Sequence, residues 1–137
     1  MAITTQAAQA ILADNFAPWV QALGLKVSAC TDTEATLLLP YADGLVRVGG
    51  TICGQALMSA ADTAMAIAIS SALGGFKPMA TVNQTVNFMR PISKTDVVVT
   101  ARILKPGRTL VFGEVAIAAA GDQRICVHAT LTYALAG

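Results

Sequence analysis

The stretch QALMSAADTAMAIAISSAL, residues 55–73, decides the fold. It carries a single charge, Asp62, and is long enough to span a bilayer. Yet it is built of Ala, Ser, Thr and Met rather than Leu, Ile and Phe, and a carboxylate near its middle would be costly in lipid. A helix apolar on all sides is equally the buried helix of a globular assembly, and no membrane partner is expected. Gly49-Gly50 breaks the chain just before this helix, and Gly74-Gly75 ends it in the usual C-terminal manner.

Working outward, Leu25–Thr31 and Glu34–Pro40 read as two strands around the turn Thr31-Asp32-Thr33, followed by a loop at Asp43-Gly44. Ahead of them, Thr4–Asp14 reads as a short helix capped by Thr4 or Thr5. A second helical turn starts at Pro18 and stops at Gly24, with Trp19 expected to cover one edge of the core. On the far side of the central helix, Met79–Met89, Val97–Lys105, Thr109–Ala118 and Ile125–Leu135 are strand-like. Pro91–Thr95, Lys105-Pro106-Gly107-Arg108 and Gly121-Asp122 separate them with turn chemistry, and short turns predict antiparallel neighbours. The sum is one α+β domain over residues 1–137, with a helical segment at 1–23 and a sheet curled around one long helix.

Composition narrows the function classes. Hydrophobic residues make up 55% of the chain and charged ones 12%, against about 25% charged in an ordinary soluble domain. So little charged surface points to a homo-oligomer. The net charge is +1 with no Lys/Arg run, which argues against a nucleic-acid partner. Cys30, Cys53 and Cys126 are scattered, and His128 is the one histidine. They fit neither a disulfide framework nor a metal site and read as reduced thiols of a cytoplasmic protein. No basic segment precedes the first apolar residues, so no signal peptide is read there.

Chemistry gathers at two places. Asp62 shares a helical face with Met58, Met65, Ala66 and Ile69. A lone carboxylate there loses hydration and must be paired, protonated or functional; the structural alternative is a cap on a neighbouring loop. The second place is the helix start, Gly49 to Gln55, where glycines admit a ligand to the backbone and first-turn N–H groups point outward. Such donors suit a carbonyl oxygen that gains charge. Gly54 and Asp62 are eight residues apart, about 12 Å along one helix. That is too far for both to act on one carbonyl, so a shared reaction requires a two-fold dimer with composite sites.

The segment Gly50-Thr51-Ile52-Cys53-Gly54-Gln55-Ala56-Leu57-Met58-Ser59-Ala60-Ala61-Asp62-Thr63-Ala64, with the order of elements, resembles the hotdog-fold acyl-CoA thioesterases of the phenylacetate-pathway type. The resemblance implies that Gly54 offers its N–H to the thioester oxygen. It implies that Asp62, supplied across the dimer, is base or nucleophile, and that Thr81 in Met79-Ala80-Thr81-Val82-Asn83 orients water. The hairpin Lys105-Pro106-Gly107-Arg108 resembles the family turn near the nucleotide end of coenzyme A, whose phosphates suit Lys105 and Arg108. Gly50, Asn83 and Arg90 complete the candidate substrate contacts.

The chain departs from the family at the helix start. Cys53 and Gln55 stand within the usual His-Gly-Gly, and Arg47 replaces an Asn or Gln. Arg47 could donate to the thioester or pair with Asp62. The implied reaction is hydrolysis of an acyl-CoA or aryl-CoA to a carboxylic acid and CoA, in a homodimer or homotetramer. No cofactor is implied, because coenzyme A belongs to the substrate. A non-catalytic acyl-CoA-binding protein is the alternative; a dehydratase would need a His–acid pair, and Cys53 stands in place of that His.

Overall fold

The computed structural model describes residues 2–136. In chain order it forms helix α1 (Thr5–Asn15), helix α2 (Pro18–Gln21), strands β1 (Lys26–Cys30) and β2 (Glu34–Leu39), helix α3 (Gly54–Leu73), and strands β3 (Met79–Phe88), β4 (Val97–Pro106), β5 (Leu110–Ala119) and β6 (Val127–Leu135). A short 3-10 turn, Asp43–Leu45, replaces the expected open loop. Thr4 caps α1, its hydroxyl accepting from the Ala7 N–H. Gly74 closes α3 at a φ of 78°, a left-handed conformation that favours glycine.

The six strands form one antiparallel sheet in the order β1-β2-β4-β5-β6-β3, curved around α3. This is the hotdog arrangement that the resemblance implies. Adjacent strands alternate cleanly: Leu37 and Leu39 on β2, Val97, Val99 and Ala101 on β4, and Val115 and Ile117 on β5 are all buried. They meet Leu57, Met65, Ile67 and Ile69 of the helix in one core, and each such large side chain contributes about 1.5–3 kcal/mol relative to exposure. Although α3 is long and apolar enough to cross a membrane, most of it is buried inside the sheet. Two of its buried hydroxyls are satisfied internally, Ser70 donating to the Ala66 carbonyl and Ser71 to that of Thr31.

One expectation fails. β3 and β4 are consecutive but not neighbours, since β3 pairs with β6 and β4 lies between β2 and β5. The connecting segment is anchored to the start of α3 instead of turning tightly. The Ile52 N–H donates to the Ile92 carbonyl, Thr51 bridges Ser93, and the Ile92 side chain is buried. Apolar anchoring of Ile92 carries the chain across, leaving β3 on an edge.

The opposite edge is occupied. The Gln9 side chain accepts from the Val27 N–H and donates to the Leu25 carbonyl, as a strand backbone would.

Gly113 shows how closely sheet and helix approach. A Cβ added there would lie 2.3 Å from Met65 Cε and 2.9 Å from the Arg102 carbonyl oxygen. Gly113→Ala should therefore cost about 1–3 kcal/mol by overpacking. Combining it with Met65→Ala should cost less than the sum of the two, as urea unfolding of the four proteins will measure.

Candidate active site

Asp62 projects from the one stripe of α3 that the sheet leaves open, together with Gln55, Met58 and Ser59. Its carboxylate is held by two hydroxyls. Thr81 Oγ1 on β3 donates to Oδ1 at 2.7 Å, and the Tyr133 hydroxyl on β6 donates to the same oxygen at 2.6 Å. The Tyr133 oxygen also lies 2.6 Å from the Asp62 main-chain carbonyl. Thr81 and Tyr133 are cross-strand partners, so one row of the sheet delivers both donors. Among the described residues no hydrogen bond reaches Oδ2. The carboxylate is thus fixed through one oxygen and free at the other. It acts as neither a loop cap nor a partner of Arg47.

Tyr133 is buried, and its phenol is pushed far above its usual pKa, first by desolvation and then by the negative charge and hydrogen bond of Asp62. It remains a donor across the working pH range.

Two grooves adjoin Asp62. One, of about 170 Å³, is walled by Phe16, Phe76, Met79 and Tyr133. The other, of about 290 Å³, is lined by Trp19, Gln55, Met58, Ser59 and Gln84. Trp19 is 60% exposed; it stands over this groove rather than covering a core edge, because the four-residue α2 holds it outside the sheet.

A β-bulge at Val82 decides which side chains of β3 face the helix. Thr81 is opposite Tyr133, but the next pair is Asn83 with Thr132, and then Gln84 with the buried Leu131. Opposed residues share a face, so the bulge turns Thr81, Gln84 and Phe88 inward and puts Asn83 on the outer face, away from Asp62. There Asn83 accepts from Thr85 Oγ1 at 3.3 Å.

The helix start lies in a different cavity, of about 380 Å³, whose lining includes Gly54, Arg47, Thr51, Phe88 and Arg90. Cys53 is the N-cap residue, in extended conformation and without a side-chain cap bond. Its own N–H donates to the Leu45 carbonyl, and the first helical bond runs from the Leu57 N–H to the Cys53 carbonyl. The N–H groups of Gly54, Gln55 and Ala56 therefore precede the first donor that the helix itself can satisfy. Gly50, at a φ of 85°, closes the tight turn from Arg47 and packs near Lys94. Arg90 donates to the Ile125 carbonyl at 3.3 Å and Arg47 to that of Val48.

Gly54, Arg47 and Arg90 are thus brought together, as are Asp62, Thr81 and Gln55, in cavities that do not merge within one chain. Lys105 and Arg108 are exposed on the β4–β5 hairpin and line neither cavity. His128 faces Glu114 at 3.0 Å on the outer sheet face, where it and Arg102 hold the Glu114 carboxyl below its usual pKa. Tyr133 and Gln84 were not singled out in the sequence. Tyr133 had a weak signal, as the one Phe, Tyr or Trp in its strand.

The Tyr133 shift fixes a pH dependence. Above about pH 10 the unfolded phenol ionises while the folded one stays protonated, so the folded chain binds more protons and stability falls as pH rises. The contribution is present in full below that pH. Chemical denaturation at pH 8 to 11 should show this alkaline fall. Tyr133→Phe should flatten it while costing about 1–3 kcal/mol near neutrality, because the carboxylate is left with the Thr81 donor alone.

Comparison with known proteins gives one consistent answer. The family model of the thioesterase superfamily matches residues 49–133, well over half of the chain. A proposed esterase of Thermoplasma acidophilum is 28% identical over 116 residues, covering 79% of this chain and 80% of that protein. Among solved structures, a proposed thioesterase from Silicibacter sp. TM1040 superposes with a TM-score of 0.89 at 27% identity, covering 100% of this chain and 95% of the other. The Escherichia coli PaaI protein of the phenylacetic acid degradation operon shares the fold at a TM-score of 0.83 and 20% identity, over 96% and 92% of the two chains. With a curved six-stranded sheet around one helix and this match across the helix and the last four strands, the chain belongs to the thioesterase superfamily.

Proposed function

We propose that this protein hydrolyses an acyl-CoA or aryl-CoA thioester to the carboxylic acid and CoA, at sites shared by two subunits. The carrying observation is the Asp62 carboxylate, anchored by Thr81 and Tyr133 through one oxygen and open to two grooves through the other. A carboxylate so placed can deprotonate water or attack directly. The Gly54 N–H, at the positive end of α3, would receive the charge that develops on the thioester oxygen.

The dimer follows from distance. Gly54 and Asp62 lie about 12 Å apart along α3 and line separate cavities, so one thioester meets both only if they come from different copies. The bare edge of β3 suits such pairing, since Val82 and Phe88 there are 59% and 50% exposed. Two such dimers would form the homotetramer. Arg47 and Arg90 flank the Gly54 cavity as further donors, while Lys105 and Arg108 on the exposed hairpin would meet the phosphates of coenzyme A. The reading places the protein in the cytoplasm.

A panel of acyl- and aryl-CoA thioesters should reveal turnover that falls about a hundredfold or more in Asp62→Asn. Gly54→Pro is a matched test of the helix N–H. Gly54 is the first helical residue and Cys53 is already extended, so proline is sterically placed to be tolerated with a small shift of the Phe88 ring. It should leave the fold intact and lower kcat by about 10²–10³. Mixing the two inactive variants and allowing subunits to exchange should restore roughly a quarter of wild-type activity, one competent site per mixed dimer. Turnover that survives Asp62→Asn would sink this mechanism. Binding of CoA without turnover of any thioester would favour the acyl-CoA-binding alternative, which the Cys53 and Gln55 substitutions first suggested.

A further inference from the structure

Beside the Asp62 groove lies a polar atom that the fold does not use. Gln84 Oε1 is buried and has no hydrogen-bond partner, and Gln84 lines the same groove as Asp62. An unpaired buried carbonyl oxygen carries a desolvation cost that a fold normally avoids by substitution or pairing. Here the cost is created by the Val82 bulge. With Val82 in regular pairing instead of bulged, strict alternation from Thr81 would turn Gln84 to the outer face and present Asn83 inward.

The position matches a need of the reaction. A water that attacks a carbonyl carbon under general-base catalysis has two hydrogens to place. One goes to the base, and the other needs a second acceptor, so that a lone pair remains directed at the electrophile. Asp62 Oδ1 is occupied by two hydroxyl donors, and Oδ2 is open. Gln84 is the next inward residue after Thr81 on β3, opposite Leu131 where Thr81 is opposite Tyr133. Two strand residues on β6 separate those rows, about 7 Å. Thr81 holds Asp62 from the first row, and Gln84 reaches inward from the next.

We propose that Gln84 is a water-positioning residue, whose Oε1 accepts the second hydrogen of the water that Asp62 deprotonates. The proposal rests on the thioesterase reading above and selects the general-base route over direct attack by Asp62. In the step, the water O–H bond breaks and its proton passes to Asp62 Oδ2 while oxygen bonds to the thioester carbon. The tetrahedral intermediate then expels the CoA sulfur, which takes the proton back from Asp62. Gln84 keeps its hydrogen bond to the attacking oxygen and exchanges no proton.

Methanol supplies a decisive probe, because it has one O–H to give the base and a methyl group where water has its second hydrogen. Gln84→Met removes the acceptor at similar volume. With the thioester that wild type turns over best, this variant should lose about 10- to 100-fold in hydrolytic kcat. KM should barely change, and in added methanol the ratio of methyl ester to free acid should rise by a comparable factor. Its thermal midpoint should equal or exceed that of wild type, because an unpaired buried acceptor is gone.

Equal loss of hydrolysis and methanolysis would overturn the proposal and leave Gln84 a packing residue, as would unchanged hydrolysis. Dissociation of the oligomer in sedimentation would overturn it too, by showing that the partner subunit satisfies Oε1. Failure of the parent reading is visible separately, in wild-type protein without thioester turnover or in an Asp62→Asn variant that retains it.

Discussion

A helix of twenty residues with a single ionisable side chain can persist in water only if something encloses it, and whatever encloses it must also provide for that side chain. The sheet meets the first demand by curving, so that strands on both sides of its centre reach α3 with Val, Leu and Ile. It meets the second through a single row, where Tyr133 and Thr81 each offer a hydroxyl to one oxygen of Asp62. Packing and site are therefore not separable. The row that closes the hydrophobic core over the middle of α3 is also the row that aims the carboxylate, and a change in sheet curvature would move both.

Much of this was legible in the sequence because it depends on local pattern. The long apolar stretch with its single charge, the glycines at its ends, the alternation in β2, β4, β5 and β6, and the turn residues between strands each have a near-neighbour physical cause. Asp62 stood out for the same reason, being a carboxylate without local support. What supports it is non-local: Tyr133 follows it by 71 positions, and nothing near Tyr133 announces the contact. The position of β3 was also hidden. Its connection to β4 has turn chemistry, but burial of Ile92 under the helix start overrides the short-turn expectation. The Val82 bulge is a register event, with no residue type that demands it, so the choice of Gln84 over Asn83 as the inward residue could only come from the paired strands.

The site divides between hydrogen bonds that are made and donors or acceptors left over. Thr81, Tyr133 and Asp62 satisfy one another and set geometry. The first-turn amides of α3, Asp62 Oδ2 and Gln84 Oε1 are the remainder, and they are the groups that the proposed reaction would engage. Arg47 and Arg90 illustrate the difference. Both make long bonds to backbone carbonyls at 3.3 Å, contacts that a better acceptor could replace.

The two margins of the sheet also differ in kind. On one, the Gln9 amide imitates a seventh strand and ends the ladder; on the other, β3 ends with no strand beside it among the described residues. A ribbon that can be extended at only one margin cannot propagate. If two copies join through β3, each consumes the other's open margin, and the combined ladder is terminated at both ends by a glutamine side chain. In such a pair one residue on the first helix would set a finite size for anything built from β3, because the edge that joins two copies is used up and the other is already closed.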